Sequence, residues 1–120
     1  MFNPGEHGHR QAELRNLHLH RAALAKLHDR PEFRKACLDL VERWLVQPSL
    51  QASRPWLEQW RDMLASWDWQ RLAETVLDEA AGQTLRQCSP LGPVLSPRER
   101  WSLLAEVERQ LQAEKRETSP

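Results

Sequence analysis

Asp29-Arg30-Pro31-Glu32-Phe33-Arg34-Lys35-Ala36-Cys37-Leu38-Asp39-Leu40-Val41-Glu42-Arg43-Trp44-Leu45-Val46 sets the fold class of this chain. Phe33, Ala36, Cys37, Leu40, Val41, Trp44 and Leu45 recur at i, i+3, i+4 and i+7, which gives a helix one continuous apolar stripe. Asp29 is placed to cap that helix, Pro31 suits its first turn, and Glu32 is placed to reach back in a capping box.

The same periodicity extends outward in both directions. Upstream, a helix is predicted from about Arg10 to His28, with Leu14, Leu17, Leu24 and Leu27 on one side and Ala12, Ala22, Ala23 and Ala25 raising propensity. His20 lies three residues after Leu17 and four before Leu24, so it faces the leucine side and is expected to be buried or half-buried with a hydrogen-bond partner. Residues 1–9 have no periodicity and read as a tail. His7 and His9 there lack a carboxylate or Cys cluster and make a poor metal site.

Downstream, residues 47–54 read as a loop. A third helix follows over about Pro55–Ser66, with Trp56, Leu57, Trp60, Met63, Leu64 and Trp67 assigned to one face. Asp68 or Ser66 caps a fourth helix over about Trp69–Leu77. Beyond it, Asp78 starts a short helix to about Gln87, or the fourth helix runs straight through with a kink at Gly82. Cys88–Leu95 holds two prolines and a glycine and cannot be regular, yet Leu91, Val94 and Leu95 predict that it packs. Ser96-Pro97-Arg98-Glu99 combines an N-cap, an N1 proline and a capping glutamate. The last helix runs to about Glu114, with Trp101, Leu104, Ala105, Glu108 and Leu111 on one face, and residues 115–120 read as a tail. The expectation is one all-α domain over 10–114: an antiparallel bundle of five or six short helices with a proline-rich crossover loop.

Composition narrows the function classes. Seventeen Lys plus Arg balance seventeen Asp plus Glu, which argues against a strong non-specific nucleic-acid binder. No apolar run has the length needed to cross a bilayer, and the opening residues are too polar for a signal peptide, so a cytoplasmic location is expected. Six Trp stand out, five of them between Trp44 and Trp69. They read either as a Trp-rich core or, in part, as exposed anchors for a partner. No metal or cofactor site is expected: His18 and His20 fall on different helix faces, there is no Cys-x-x-Cys, and the paired Glu-x-x-His motifs of di-iron bundles are missing. Glycine-rich phosphate loops are also missing.

The unusual features gather around residues 85–100. A proline-set loop lies between two helix ends, flanked by Arg86, Arg98 and Arg100. One reading is a structural crossover whose arginines pair with Glu74, Asp78 or Glu79. The other is a preformed recognition loop, since ordered loops on rigid scaffolds often carry binding. On the second reading the partner-binding residues are Arg86, Ser89, Pro90, Leu91, Arg98, Arg100 and Trp101.

Leu85-Arg86-Gln87-Cys88-Ser89-Pro90-Leu91-Gly92-Pro93-Val94-Leu95-Ser96-Pro97-Arg98-Glu99-Arg100 resembles an L-R-Q-S-S-P-F-A-G-V-L-S-x-x-E-R signature found in a group of short, little-characterised bacterial helical proteins. Leu19-His20-Arg21-Ala22, Ala25-Lys26-Leu27, Pro31-Glu32 and Glu58-Gln59-Trp60 resemble the same group. The chain departs from it with Cys88 for Ser, Leu91 for Phe and Gly92-Pro93 for Ala-Gly. The resemblance implies an accessory member of a toxin–antitoxin or defence-type gene pair, with its partner encoded by an adjacent gene, and it implies no catalytic residue.

Three functions follow as expectations. The first is a non-enzymatic protein-interaction module, antitoxin-like or regulatory, binding a partner protein or a second copy of itself. The second is a DNA-binding regulator, with the third and fourth helices as a helix-turn-helix and Arg71 on the second of these. The third is an enzyme using His20 and Cys88.

Overall fold

The computed structural model describes the backbone of residues 4–118 and the side chains of residues 10–116. The chain forms α1 (Pro4–Asp29), α2 (Phe33–Leu45), a 3₁₀ segment (Pro48–Ser53), α3 (Arg54–Ser66), α4 (Trp69–Leu77), α5 (Gln83–Gln87) and α6 (Pro97–Thr118). Among the described residues there is no strand, and the molecule is an all-α bundle.

The two terminal helices outrun their apolar patterns. α1 begins at Pro4 rather than Arg10, and α6 continues to Thr118 rather than ending near Glu114. Once a helix is nucleated, each further turn needs little more than tolerable propensity, so the apolar stripe marks where a helix packs and not where it stops. The side chains of His7 and His9 lie outside the described residues.

The core is built from one face of each inner element. Leu24 and Leu27 of α1 meet Cys37, Val41 and Leu45 of α2, Leu57, Trp60, Met63 and Leu64 of α3, Leu72 and Val76 of α4, and Leu85 of α5. Each fully buried Leu or Val removes apolar surface from water, worth about 1.5–3 kcal/mol relative to exposure. Trp60 is completely buried, and its Nε1–H donates to the Leu85 carbonyl at 2.8 Å, tying α3 to α5. Trp44, Trp67 and Trp69 are half-buried against the same core. The core reading holds for four of the six, while Trp56 is 37% exposed and Trp101 75% exposed.

Trp67 and Trp56 leave the face assigned to them. Trp67 is the residue that ends α3, with φ 54° in the left-handed region, and its N–H donates to the Met63 carbonyl at 3.2 Å. A bulky residue there costs roughly 1–2 kcal/mol. The ring recovers this by packing under Arg34, whose guanidinium lies 4.9 Å from the ring centre and donates to the carbonyls of Leu64 (2.7 Å) and Ala65 (2.5 Å). Trp56 precedes Leu57, and the buried stripe of Leu57, Trp60, Met63 and Leu64 leaves it at the edge.

The helix starts divide in the same way. Asp68 caps α4 as expected, its Oδ1 accepting the Arg71 N–H at 3.2 Å. The cap expected from Asp29 does not form, because Asp29 is still the last residue of α1. Pro31 and Glu32 lie in the turn, and Glu32 precedes α2 without a side-chain capping bond. Residues 78–87 are not one kinked helix with α4: the chain breaks at Asp78, whose Oδ1 accepts from the N–H groups of Ala80 and Ala81, and re-forms as α5.

α6 is rotated from the expected face. Val107 is buried and Leu103 packs on the core, with Leu104 and Leu111 half-buried, whereas Trp101 and Ala105 point to solvent. Leu103 and Val107 are four apart and outweigh Ala105 in apolar area, which sets the rotation. Two ion pairs hold α6 to α1: Arg15 with Glu108 at 2.5 Å and Lys26 with Glu99 at 2.6 Å.

Candidate functional site

The loop after α5 is ordered by its own short-range bonds. Cys88 N–H donates to the Leu85 carbonyl at 3.2 Å, Leu91 N–H to the Ser89 hydroxyl oxygen at 3.2 Å, and Val94 N–H to the Leu91 carbonyl at 3.0 Å. Pro90, Leu91, Val94 and Leu95 are buried, as the apolar content of the segment predicts, while Gly92 and Pro93 are exposed. The loop closes on the expected capping box: Glu99 N–H donates to Ser96 Oγ at 3.1 Å, and Ser96 N–H donates to Glu99 Oε1 at 2.9 Å. The same carboxylate accepts from Lys26, and these bonds hold its pKa down at about 2, the Lys26 bond first among them.

The structure sorts the seven expected partner-binding residues into three groups. Arg86, Pro90 and Leu91 are buried, Ser89 is half-buried, and Arg98, Arg100 and Trp101 are exposed.

Arg86 is a correction. It is only 5% exposed and is not available as a recognition cation. Its Nη1 donates to the carbonyls of Val76 (2.7 Å) and Asp78 (2.8 Å), and its Nη2 to that of Glu79 (3.2 Å). The arginine therefore reads the backbone at the break between α4 and α5, and not the carboxylates of Glu74, Asp78 or Glu79. The Asp78 carbonyl also accepts the Gly82 N–H at 2.9 Å, whereas those of Val76 and Glu79 have no backbone donor, and a buried orphan acceptor is costly, so a forked donor goes there. Gly82 makes the arrangement fit, since a Cβ at that position would lie 2.4 Å from the Val76 carbonyl oxygen and 2.6 Å from Arg86 Nη1. Pro90, fully buried, also serves packing and presents nothing to a partner.

Ser89, Leu91 and Arg100 come together in a cleft of about 310 Å³ between α1 and the loop. Its other wall carries Asn16, Leu19, His20 and Ala23. His20 is 7% exposed, as its place among the leucines of α1 predicts. Its Nδ1 lies 2.8 Å from the Asn16 carbonyl oxygen and so carries the proton, which leaves Nε2 as a bare acceptor. Burial holds the imidazole below its ordinary pKa, against the raising effect of the Asn16 bond, and the positive charge of Arg86 pushes the same way as burial. Nε2 is buried and has no hydrogen-bond partner among the described residues. Composition and motif searching missed this cleft. The signal that points to it is a histidine in register with a leucine stripe, opposite a loop of apolar residues and serine.

Arg98, Arg100 and Trp101 stand on the first turns of α6, on the solvent side of the loop. Trp101 is three residues after Arg98 and four before the exposed Ala105, which places the three along one stripe of the helix. Arg98 and Arg100 make no ion pair among the described residues.

A catalytic Cys88–His20 pair does not form. Cys88 Sγ is directed to the carbonyls of Thr84 (3.5 Å) and Leu85 (3.6 Å), and burial raises its pKa. The buried Cys37 thiol is pushed up to about 11 for the same reason, so neither is an activated nucleophile. No group of three metal-ligating side chains occurs among the described residues. Among the described residues no helix is long and apolar enough to cross a membrane. On the outer surface of α4, Arg71 stands near Gln70, which bonds Glu74, and this mixed-charge face lacks the basic excess of a DNA-recognition helix. Comparison with family models, with curated proteins and with solved structures finds no match.

Proposed function

We propose that this chain is a non-enzymatic interaction module that docks a partner protein through Trp101 and Arg98 at the start of α6. The observation that carries the reading is Trp101: a large apolar ring, 75% exposed, on a helix start fixed by a capping box and an ion pair. Leaving such a ring in water gives up burial worth a few kcal/mol, and Trp and Arg are both among the residues enriched where binding energy concentrates. The position is preorganised, so little ordering entropy is lost on docking. The complementary partner surface is an apolar pocket rimmed by carboxylates, the pocket for the indole and the rim for Arg98. The resemblance of the 85–100 segment to accessory proteins of toxin–antitoxin or defence-type pairs favours a cytoplasmic partner encoded beside this chain.

The test is co-expression with the products of the flanking genes, followed by co-purification of wild type and of the Arg98→Glu/Trp101→Ala double variant. Stoichiometric recovery of a neighbour by wild type, lost in the variant at unchanged circular dichroism, supports the reading. Equal recovery by both contradicts it. Sedimentation equilibrium separates the alternative occupant: a wild-type dimer that the variant converts to monomer makes the partner a second copy of this chain.

A further inference from the structure

We propose that the cleft between α1 and the prolyl loop binds a small aliphatic carboxylic acid that also carries a hydroxyl or amide N–H. This proposal does not rest on the partner reading, because neither Arg98 nor Trp101 lines the cleft.

The cleft supplies three kinds of group, and each specifies part of the ligand. Leu19, Ala23, Leu91 and Leu95 give it an apolar body. Arg100 at its edge is a guanidinium without an ion pair among the described residues, and its planar fork matches one carboxylate. A phosphate dianion would want a second cation, and among the described residues Arg100 is the one cationic side chain on the cleft wall. His20 supplies the third group. With its proton committed to the Asn16 carbonyl, its Nε2 can only accept, and it is buried without a partner. Leaving such an acceptor unsatisfied is costly, and a ligand donor would recover that cost. Ser89 adds a hydroxyl whose oxygen already accepts from Leu91 N–H, so its proton remains free to donate to the ligand.

Size bounds the ligand further. At about 310 Å³ the cleft sits at the lower end of the roughly 300–1,000 Å³ range of small-molecule sites, which fits a medium-chain acid better than a nucleotide or a cofactor. The donor must reach a covered nitrogen, and a hydroxyl inserts with the least displacement of the wall. A neutral imidazole that accepts from the ligand, beside an arginine that holds its carboxylate, selects hydroxy acids over plain fatty acids of equal length.

The experiment titrates protein carrying ¹⁵N-labelled histidine with 3-hydroxyoctanoate, octanoate and 2-octanol, following the His20 ring nitrogens by NMR. Saturable binding of 3-hydroxyoctanoate is expected, with the Nε2 resonance moving upfield as an acceptor does on gaining a donor. Octanoate should bind about fivefold more weakly and leave Nε2 unmoved, the loss of one hydrogen bond. Arg100→Gln should weaken both acids by about tenfold, with no effect on 2-octanol and none on the circular dichroism spectrum. Three results overturn the proposal: no saturable binding, equal affinity for both acids, or a free-protein Nε2 already shifted upfield and unchanged by titration, which would mean that bound water fills the role.

Discussion

The two flanks of the prolyl loop look alike in sequence and are opposite in the folded molecule. On one side Arg86 is buried and its guanidinium spans three backbone carbonyls. On the other, Arg98 and Trp101 stand in solvent on an intact helix. The difference lies in the backbone beside each. At 76–79 the helix breaks, the carbonyls of Val76 and Glu79 are left without a backbone N–H, and an arginine within reach is drawn inward to serve them. At the start of α6 the unsatisfied groups are N–H donors, which Ser96 and Glu99 satisfy, so an arginine has nothing to bind there and stays outside. An arginine near a loop is thus sorted by the sign of the backbone deficit next to it.

That contrast can be broken first at Arg86. Arg86→Ala leaves the carbonyls of Val76 and Glu79 without a donor, that of Asp78 with Gly82 N–H alone, and opens a void, and is expected to destabilise by about 3 kcal/mol in urea denaturation. Arg86→Lys should recover only part, since a single ammonium cannot reproduce the fork. Gly82→Ala comes next, at about 1–3 kcal/mol, because its Cβ meets backbone oxygens at 2.4 and 2.6 Å. Combined with Arg86→Ala it should fall well short of additive, both changes acting on one cluster.

On the outer flank the effects are smaller. The Glu99 carboxyl has its pKa lowered from 4.5 to about 2, so its contribution to stability is complete above pH 4.5 and is lost as pH falls towards 2. Thermal melts should therefore show a steeper decline across that window for wild type than for Glu99→Gln. Trp101→Ala should leave the urea midpoint within about 0.5 kcal/mol of wild type, as expected of an exposed side chain without a structural role. A larger loss would mean that the ring packs on its own chain.

The parts of the fold that were legible in sequence are those fixed by local chemistry. The limits of α4, the Asp68 cap and the Ser96–Glu99 capping box all depend on residues within one turn of each other. The burial of His20 followed from its register in the leucine stripe. What escaped depends on contacts distant in the chain. Trp67 adopts a left-handed backbone because Arg34 and the core cover its ring, and α6 rotates because Val107 finds α1. Arg86 could not be placed without knowing that the helix breaks at Asp78 and that Gly82 lets the guanidinium approach. The cleft was half legible: Ser89, Leu91 and Arg100 stood out as a loop group, but nothing local links them to His20, about seventy residues earlier in the chain.

The central claim is that the loop divides a structural flank from a free one, and fluorine NMR tests it most directly. With all six tryptophans replaced by 5-fluorotryptophan, the solvent isotope shift between H₂O and D₂O reads the exposure of each ring in one spectrum. Trp101, assigned by its loss in Trp101→Phe, should show the largest shift of the six, and Trp60 should show none. A Trp101 resonance as insensitive to solvent as that of Trp60 would contradict the account, because the outer flank of the loop would then be covered.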